Sequence, residues 1–329
     1  MGFGSNAPST GSDARLGCIN GSNAEMSSGQ ADMGGWFRRM ISFAFLSGLA
    51  GCAVAPGPAD DGNRLVFWRG NVIEITRVLD GRATTERTIR HGSLSNVIDA
   101  TSTGEELIVV SFAQPGDPGQ NYSARVIGPV SGEVRQELQG PNGYIFGAAI
   151  SPDRDRAAFS VCEPGPVCRI DLENIDGGAR RAIANGVERH SPVSWSPDGG
   201  QLAFSAVNGR IGIVDISSGA IAFWGRGSEP DWSPNGRMIV FQTAREIRVL
   251  DLATKNVRTI HEQDAAEYNL IAALPRWSRD GGFISFNVPD GMAAQWMRCK
   301  VYSLKNGTVT TVRSRSDKFC GPWTRAAAS

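Results

Sequence analysis

Trp195-Ser-Pro-Asp-Gly199, Trp232-Ser-Pro-Asn-Gly236 and Trp277-Ser-Arg-Asp-Gly281 are three copies of one short turn. Proline presets φ at its first position, and Asp or Asn accepts from backbone amides two residues on. Glycine supplies the positive φ that ends the turn. A weaker copy is Ile150-Ser-Pro-Asp-Arg154, and Asp61-Gly62 and Thr103-Gly104 keep only the final anchor. Five residues beyond the anchors stand Phe67, Val109, Phe159, Phe204, Phe241 and Phe286. Three residues beyond stand Leu65, Leu107, Ala157, Leu202, Ile239 and Ile284. Offsets three and five share one face of a strand. Offset four is mostly small or β-branched, so both faces of the strand are apolar, as a sheet stacked between two others requires.

The anchors Gly62, Gly104, Arg154, Gly199, Gly236 and Gly281 lie 42, 50, 45, 37 and 45 residues apart. That is about the length of one four-stranded propeller blade, roughly 40–45 residues. A second beat, Ile170-Asp171-Leu172, Val214-Asp215-Ile216 and Leu250-Asp251-Leu252, marks third strands, with Tyr302-Ser303-Leu304 as a looser copy. Turn signals follow at Gly177-Gly178, Ser218-Gly219, Thr254-Lys255-Asn256 and Asn306-Gly307. The pattern predicts an all-β chain, a six-bladed β-propeller of four-stranded antiparallel blades over residues 60–324. Closure has its own signature. Pro322-Trp323-Thr324 opens a repeat that the chain does not continue, while the first blade begins at Asp61-Gly62 without a tryptophan. Residues 318–324 are therefore expected to supply the innermost strand of blade one and Leu65 to Trp68 its second. From Asp60 to Trp323 there are 264 residues, 44 per blade.

These turns and strands resemble the TolB-type propeller repeat, in which a Pro-x-Trp-Ser-Pro-Asp-Gly turn precedes an apolar-Ala-Phe strand. The resemblance covers residues 59–324 and is strongest in blades four to six. It implies a non-enzymatic platform in the bacterial envelope that binds a protein or peptide. TolB carries an α/β domain ahead of its propeller, and this chain is expected to have no room for one, which makes it a relative in fold.

The N-terminus reads as a leader. Residues 1–32 are rich in Gly, Ser, Asn and Ala and carry no apolar period, as in a disordered or mis-started segment. Residues 33–51 read as a signal peptide, with Arg38-Arg39 followed by the apolar run Ile41 to Ala50. Ten residues are too few for a spanning helix, which takes roughly 20. Leu49-Ala50-Gly51-Cys52 resembles a lipobox, which implies lipidation of Cys52, a tether over residues 52–59 and a membrane anchor. Ala53 after the cysteine points to the outer membrane, facing the periplasm. Residues 325–329 read as a tail.

Lys+Arg and Asp+Glu both number 33, so the chain lacks the basic excess that nucleic-acid binding draws on, although a local basic patch remains open. A monomer is expected. Export favours disulfides among Cys162, Cys168, Cys299 and Cys320, and 162–168 with 299–320 is the simplest of three pairings. Neither a CxxC spacing nor a neighbouring histidine supports zinc. No cofactor is expected. A calcium ion ringed by Asp153, Asp198, Asn235 and Asp280 is the alternative to a structural role for these turns. The histidines are His91, His190 and His261, and no hydrolase elbow, HExxH or phosphate loop occurs. No catalytic residue is assigned. The loops entering the blades carry His190, Glu229, Asp231, Glu267, Tyr268 and Arg276, the candidate binding rim around the axial opening. A ligand-binding or lactonase-like hydrolytic propeller using the axial pocket is the competing function.

Overall fold

The computed structural model describes residues 62–79, 82–90, 95–100, 104–111, 123–139, 144–163, 167–178, 180–263, 273–290 and 296–325. The leader, signal segment and tether of residues 1–59, with Cys52, lie outside them, as do His91, Glu267, Tyr268 and residues 326–329. The described residues form twenty-four strands in six four-stranded antiparallel sheets.

Blade one holds β1 (Asn63–Arg69), β2 (Val72–Leu79) and β3 (Arg82–Arg90). Blade two is β4 (Ser95–Ala100), β5 (Leu107–Ser111), β6 (Ser123–Ile127) and β7 (Val134–Gln139). Blade three is β8 (Tyr144–Ile150), β9 (Arg156–Cys162), β10 (Val167–Asn174) and β11 (Arg181–Glu188). Blade four is β12 (Val193–Trp195), β13 (Gln201–Ser205), β14 (Arg210–Asp215) and β15 (Ile221–Arg226). Blade five is β16 (Ser228–Trp232), β17 (Met238–Gln242), β18 (Glu246–Asp251) and β19 (Val257–Glu262). Blade six is β20 (Arg276–Trp277), β21 (Phe283–Pro289), β22 (Met297–Ser303) and β23 (Thr308–Ser316). The last strand, β24 (Phe319–Arg325), returns to blade one, whose order is β24-β1-β2-β3. Arg325, expected in the tail, is the last residue of that strand.

The turns behave as their chemistry dictates. Ser196 Oγ donates to Asp198 Oδ1 at 2.6 Å, and Gly200 N–H reaches the same oxygen at 3.0 Å. The set recurs at Ser233–Asn235–Arg237 and Ser278–Asp280–Gly282. In each copy the serine Oγ also accepts the amide that opens the next strand, Gln201, Met238 or Phe283. All six anchors have positive φ: Gly62 74°, Gly104 72°, Arg154 66°, Gly199 70°, Gly236 70° and Gly281 74°. The anchors that lack the full motif thus adopt its backbone.

The strand after each turn alternates between two seams. Leu202 and Phe204 pack toward blade three, while Ala203 packs toward blade five. The buried apolar side chains of the described residues accordingly divide into six clusters, one between each pair of neighbouring blades. The sixth joins Leu65, Phe67 and Trp323 of blade one to Cys299, Val301 and Val312 of blade six. Cys162–Cys168 and Cys299–Cys320 are joined as disulfides. The second ties β24 to β22. Gly57–Ser329 separates as one compact unit.

Candidate functional site: the propeller axis

The innermost strands β24, β4, β8, β12, β16 and β20 border the axis. Ile150, Trp195, Trp232, Trp277 and Trp323 point into the seams, so the residue before each points inward. These inward positions are Asp99, Ala149, Ser194, Asp231 and Arg276, each five residues before its turn anchor, with Pro322 completing the ring. Asp99, Ala149, Ser194 and Asp231 of this ring line a cavity of about 250 Å³. It lies at the end of the axis marked by the turns, where Pro152, Pro197, Pro234 and Arg279 line it beside Asp99, Ser194 and Asp231.

Asp231 holds three innermost strands together. Its Oδ1 accepts from Ser194 Oγ at 2.9 Å and its Oδ2 from Trp277 N–H at 2.8 Å. Ser194 Oγ in turn accepts Trp232 N–H at 3.1 Å. Arg276 is buried, with Nη2 3.8 Å from Asp99 Oδ2 of blade two and Nη1 donating to Pro275 O. Burial alone would lower the Arg276 guanidinium, but the carboxylates of Asp99, Asp231 and Glu229 hold it above the usual arginine range. Arg279 donates from Nε to Trp323 O at 2.9 Å.

Glu229 is buried at the start of β16, with φ 54°. Its Oε2 accepts Leu274 N–H at 2.6 Å. Burial pushes its carboxyl up to about 7, against the Leu274 amide and Arg276, which pull it down. A latch of similar design recurs at three seams. Ser205 Oγ accepts Glu229 N–H, Gln242 Oε1 accepts Ala273 N–H, and Asn287 Oδ1 accepts Cys320 N–H. The third of these latches closes the ring.

The rim expected from sequence is therefore divided. Glu229, Asp231 and Arg276 are buried on innermost strands and not exposed on entering loops, because the strand begins earlier than the turn motif reveals. His190 is exposed at φ 67° and meets the Phe146 ring edge-on at 4.2 Å. Burial, then Arg189, lowers its pKa. Asp99, Ser194 and Arg279 escaped the sequence reading. The signal that finds the first two is the offset of five from the anchor, which Asp231 and Arg276 share. Asp198 and Asp280 of the turns accept from their own serine hydroxyls, and no cluster of three or more His, Cys, Asp or Glu side chains occurs among the described residues.

No protein-family model matches this sequence, and neither does any curated protein sequence. Solved structures do. TolB from Acinetobacter baumannii superposes with a TM-score of 0.59 at 16% identity, over 81% of this chain and 68% of that one. A putative TolB from Agrobacterium tumefaciens gives 0.55 at 18% identity, over 81% and 99%. The β-propeller domain of Cps50 (Swd1) from Myceliophteria thermophila gives 0.51 at 14% identity, over 76% and 83%. At such identities the likeness is one of fold: the chain is a TolB-like six-bladed β-propeller.

Proposed function

We propose that this protein is a lipid-anchored, non-enzymatic envelope component whose propeller docks a segment of a partner protein at the turn end of its axis. The observation that carries the reading is the cavity of about 250 Å³, walled by Asp99, Asp231 and Arg279 and rimmed by three prolines. Ligand sites for drug-sized molecules start at roughly 300 Å³, so this one suits a side chain or a peptide end. Groups of both signs favour a polar or zwitterionic terminus. Asp231 spends both oxygens on neighbouring strands, which fits a role in shaping the wall over one in moving protons. Two disulfides suit an oxidising compartment, and the TolB-like fold supports the envelope assignment.

The test is photocross-linking in the cell envelope. A photoreactive residue at Pro197 or Pro234 should capture one and the same polypeptide. The same residue at Phe223, on the outermost strand β15, should not. Asp99→Asn should weaken the cross-link from the turn end. A purified protein that carries a small molecule and yields no cross-linked polypeptide would favour the ligand-binding or hydrolytic alternative. Release from membranes on replacing Cys52→Ser tests the anchor, and unchanged retention would contradict it.

A further inference from the structure

The chain is neutral overall, yet its charge is unevenly placed. Between Asn63 and Arg90, blade one carries arginines 64, 69, 77, 82, 87 and 90 against Glu74, Asp80 and Glu86. The adjoining stretch from Thr308 to Arg325 adds Arg313, Arg315, Lys318 and Arg325 against Asp317. Blade five, by contrast, is balanced, with arginines 237, 245, 248 and 258 and Lys255 facing Glu229, Asp231, Glu246, Asp251 and Glu262.

The basic excess is also sorted by depth. Inner cations are consumed by structure: Arg64 pairs with Glu86 at 2.6 Å, and Arg313 and Lys318 share Glu74 at 2.6 and 3.3 Å. The outer ones are not. Arg82, Arg87 and Arg90 lie exposed on β3, the outermost strand of blade one, and among the described residues none of them meets a carboxylate. Arg87 donates to the backbone oxygen of Val130. Charged edges protect a sheet from pairing with another, but protection needs no single sign. Blade two protects its outermost strand with Arg135 beside Glu133 and Arg125 beside Glu137.

We infer that the outer edge of blade one, presented by Arg82, Arg87 and Arg90, rests on an anionic phospholipid surface. A second observation selects a membrane over an acidic protein. The chain leading from Cys52 enters the propeller at Gly62, immediately before β1 of this same blade. This selection rests on the lipid anchor proposed above: with Cys52 lipidated, only ten residues of chain separate the anchor from this blade, whichever partner the axis binds. Each arginine near an anionic surface contributes about fivefold in partition, and salt screens the effect.

The experiment uses the unlipidated unit Gly57–Ser329, whose ring closes on itself, so it does not depend on Cys52 or on the axial site. Co-sedimentation is measured with vesicles of phosphatidylcholine alone and with equal parts phosphatidylglycerol and phosphatidylcholine. The protein should bind only the anionic vesicles, and less as salt rises. The triple variant Arg82→Gln, Arg87→Gln, Arg90→Gln should lose on the order of a hundredfold in partition. A control that removes the same charge elsewhere, Arg226→Gln, Arg237→Gln, Arg245→Gln, should bind nearly as wild type. Both variants should keep the wild-type melting temperature. Equal binding to both vesicle types, no binding to either, or equal losses in the two triple variants would overturn the inference.

Discussion

Arg154 shows at a single position how the repeat tolerates exceptions. It sits at φ 66°, where the other anchors are glycine, and its guanidinium reaches Glu106 of blade two at 2.6 Å. Glu106 is buried and also meets Arg135 at 3.2 Å. The ion pair across the seam compensates for the backbone conformation. Arg154→Ala and Arg154→Gly both lose the pair, and only alanine keeps the strain. The alanine variant should therefore be less stable by about 1 kcal/mol, as urea unfolding of the two would show. Glu229 makes a second prediction. Its carboxyl titrates at about 7 in the folded chain, above the ordinary 4.5. The folded state thus binds the extra proton between these values. Its contribution is fully present below pH 4.5 and is lost as pH rises through 7. The loss is on the order of 3 kcal/mol. Glu229→Gln keeps an acceptor for Leu274 N–H, so it should flatten this slope and raise stability at pH 7.5. An unchanged slope in thermal melts from pH 4.5 to 7.5 would reject the assignment.

At the scale of elements, the strand that matters most is β24. Trp323 Nε1 donates to Arg276 O at 3.3 Å, just as Trp195 Nε1 donates to Ala149 O at 3.2 Å, the matching residue one blade back. Gly321 passes so close to Trp68 that an added Cβ would lie 1.8 Å from Cζ3. Trp323→Ala should cost about 3–5 kcal/mol, and removing the Cys299–Cys320 bridge about 3 kcal/mol by loop entropy. Chemical denaturation of each variant measures these losses. Strand identity and pairing were legible because turn chemistry and two-sided apolar strands repeat at a fixed offset. The depth of the strand entering each blade was not. Asp231 and Arg276 look like loop residues because a polar side chain on an innermost strand faces a narrow polar axis, where the usual apolar signature is missing. Ser194 and Asp99 went unread for the same reason.

For the whole molecule, six seam cores replace one central core, and each blade depends on both neighbours. The walls of the axial cavity come from blades two to six, and β24 of blade one joins the two ends of that arc through Arg279 and Gly104. The repeat period made the ring legible in the sequence. The placement of charge around it was not, because net neutrality hides a basic blade one against an acidic remainder. The closed ring is therefore the claim on which the binding site and the membrane-facing edge both rest. Amide hydrogen exchange of Phe319–Arg325 in the intact protein tests it most directly. Cys320, bonded to Asn287, and Arg325, bonded to Gly104, should exchange as slowly as the innermost strands of blades four and five. Exchange of this segment at the rate of an unstructured chain, with the other innermost strands still protected, would show that the C-terminus does not close the propeller.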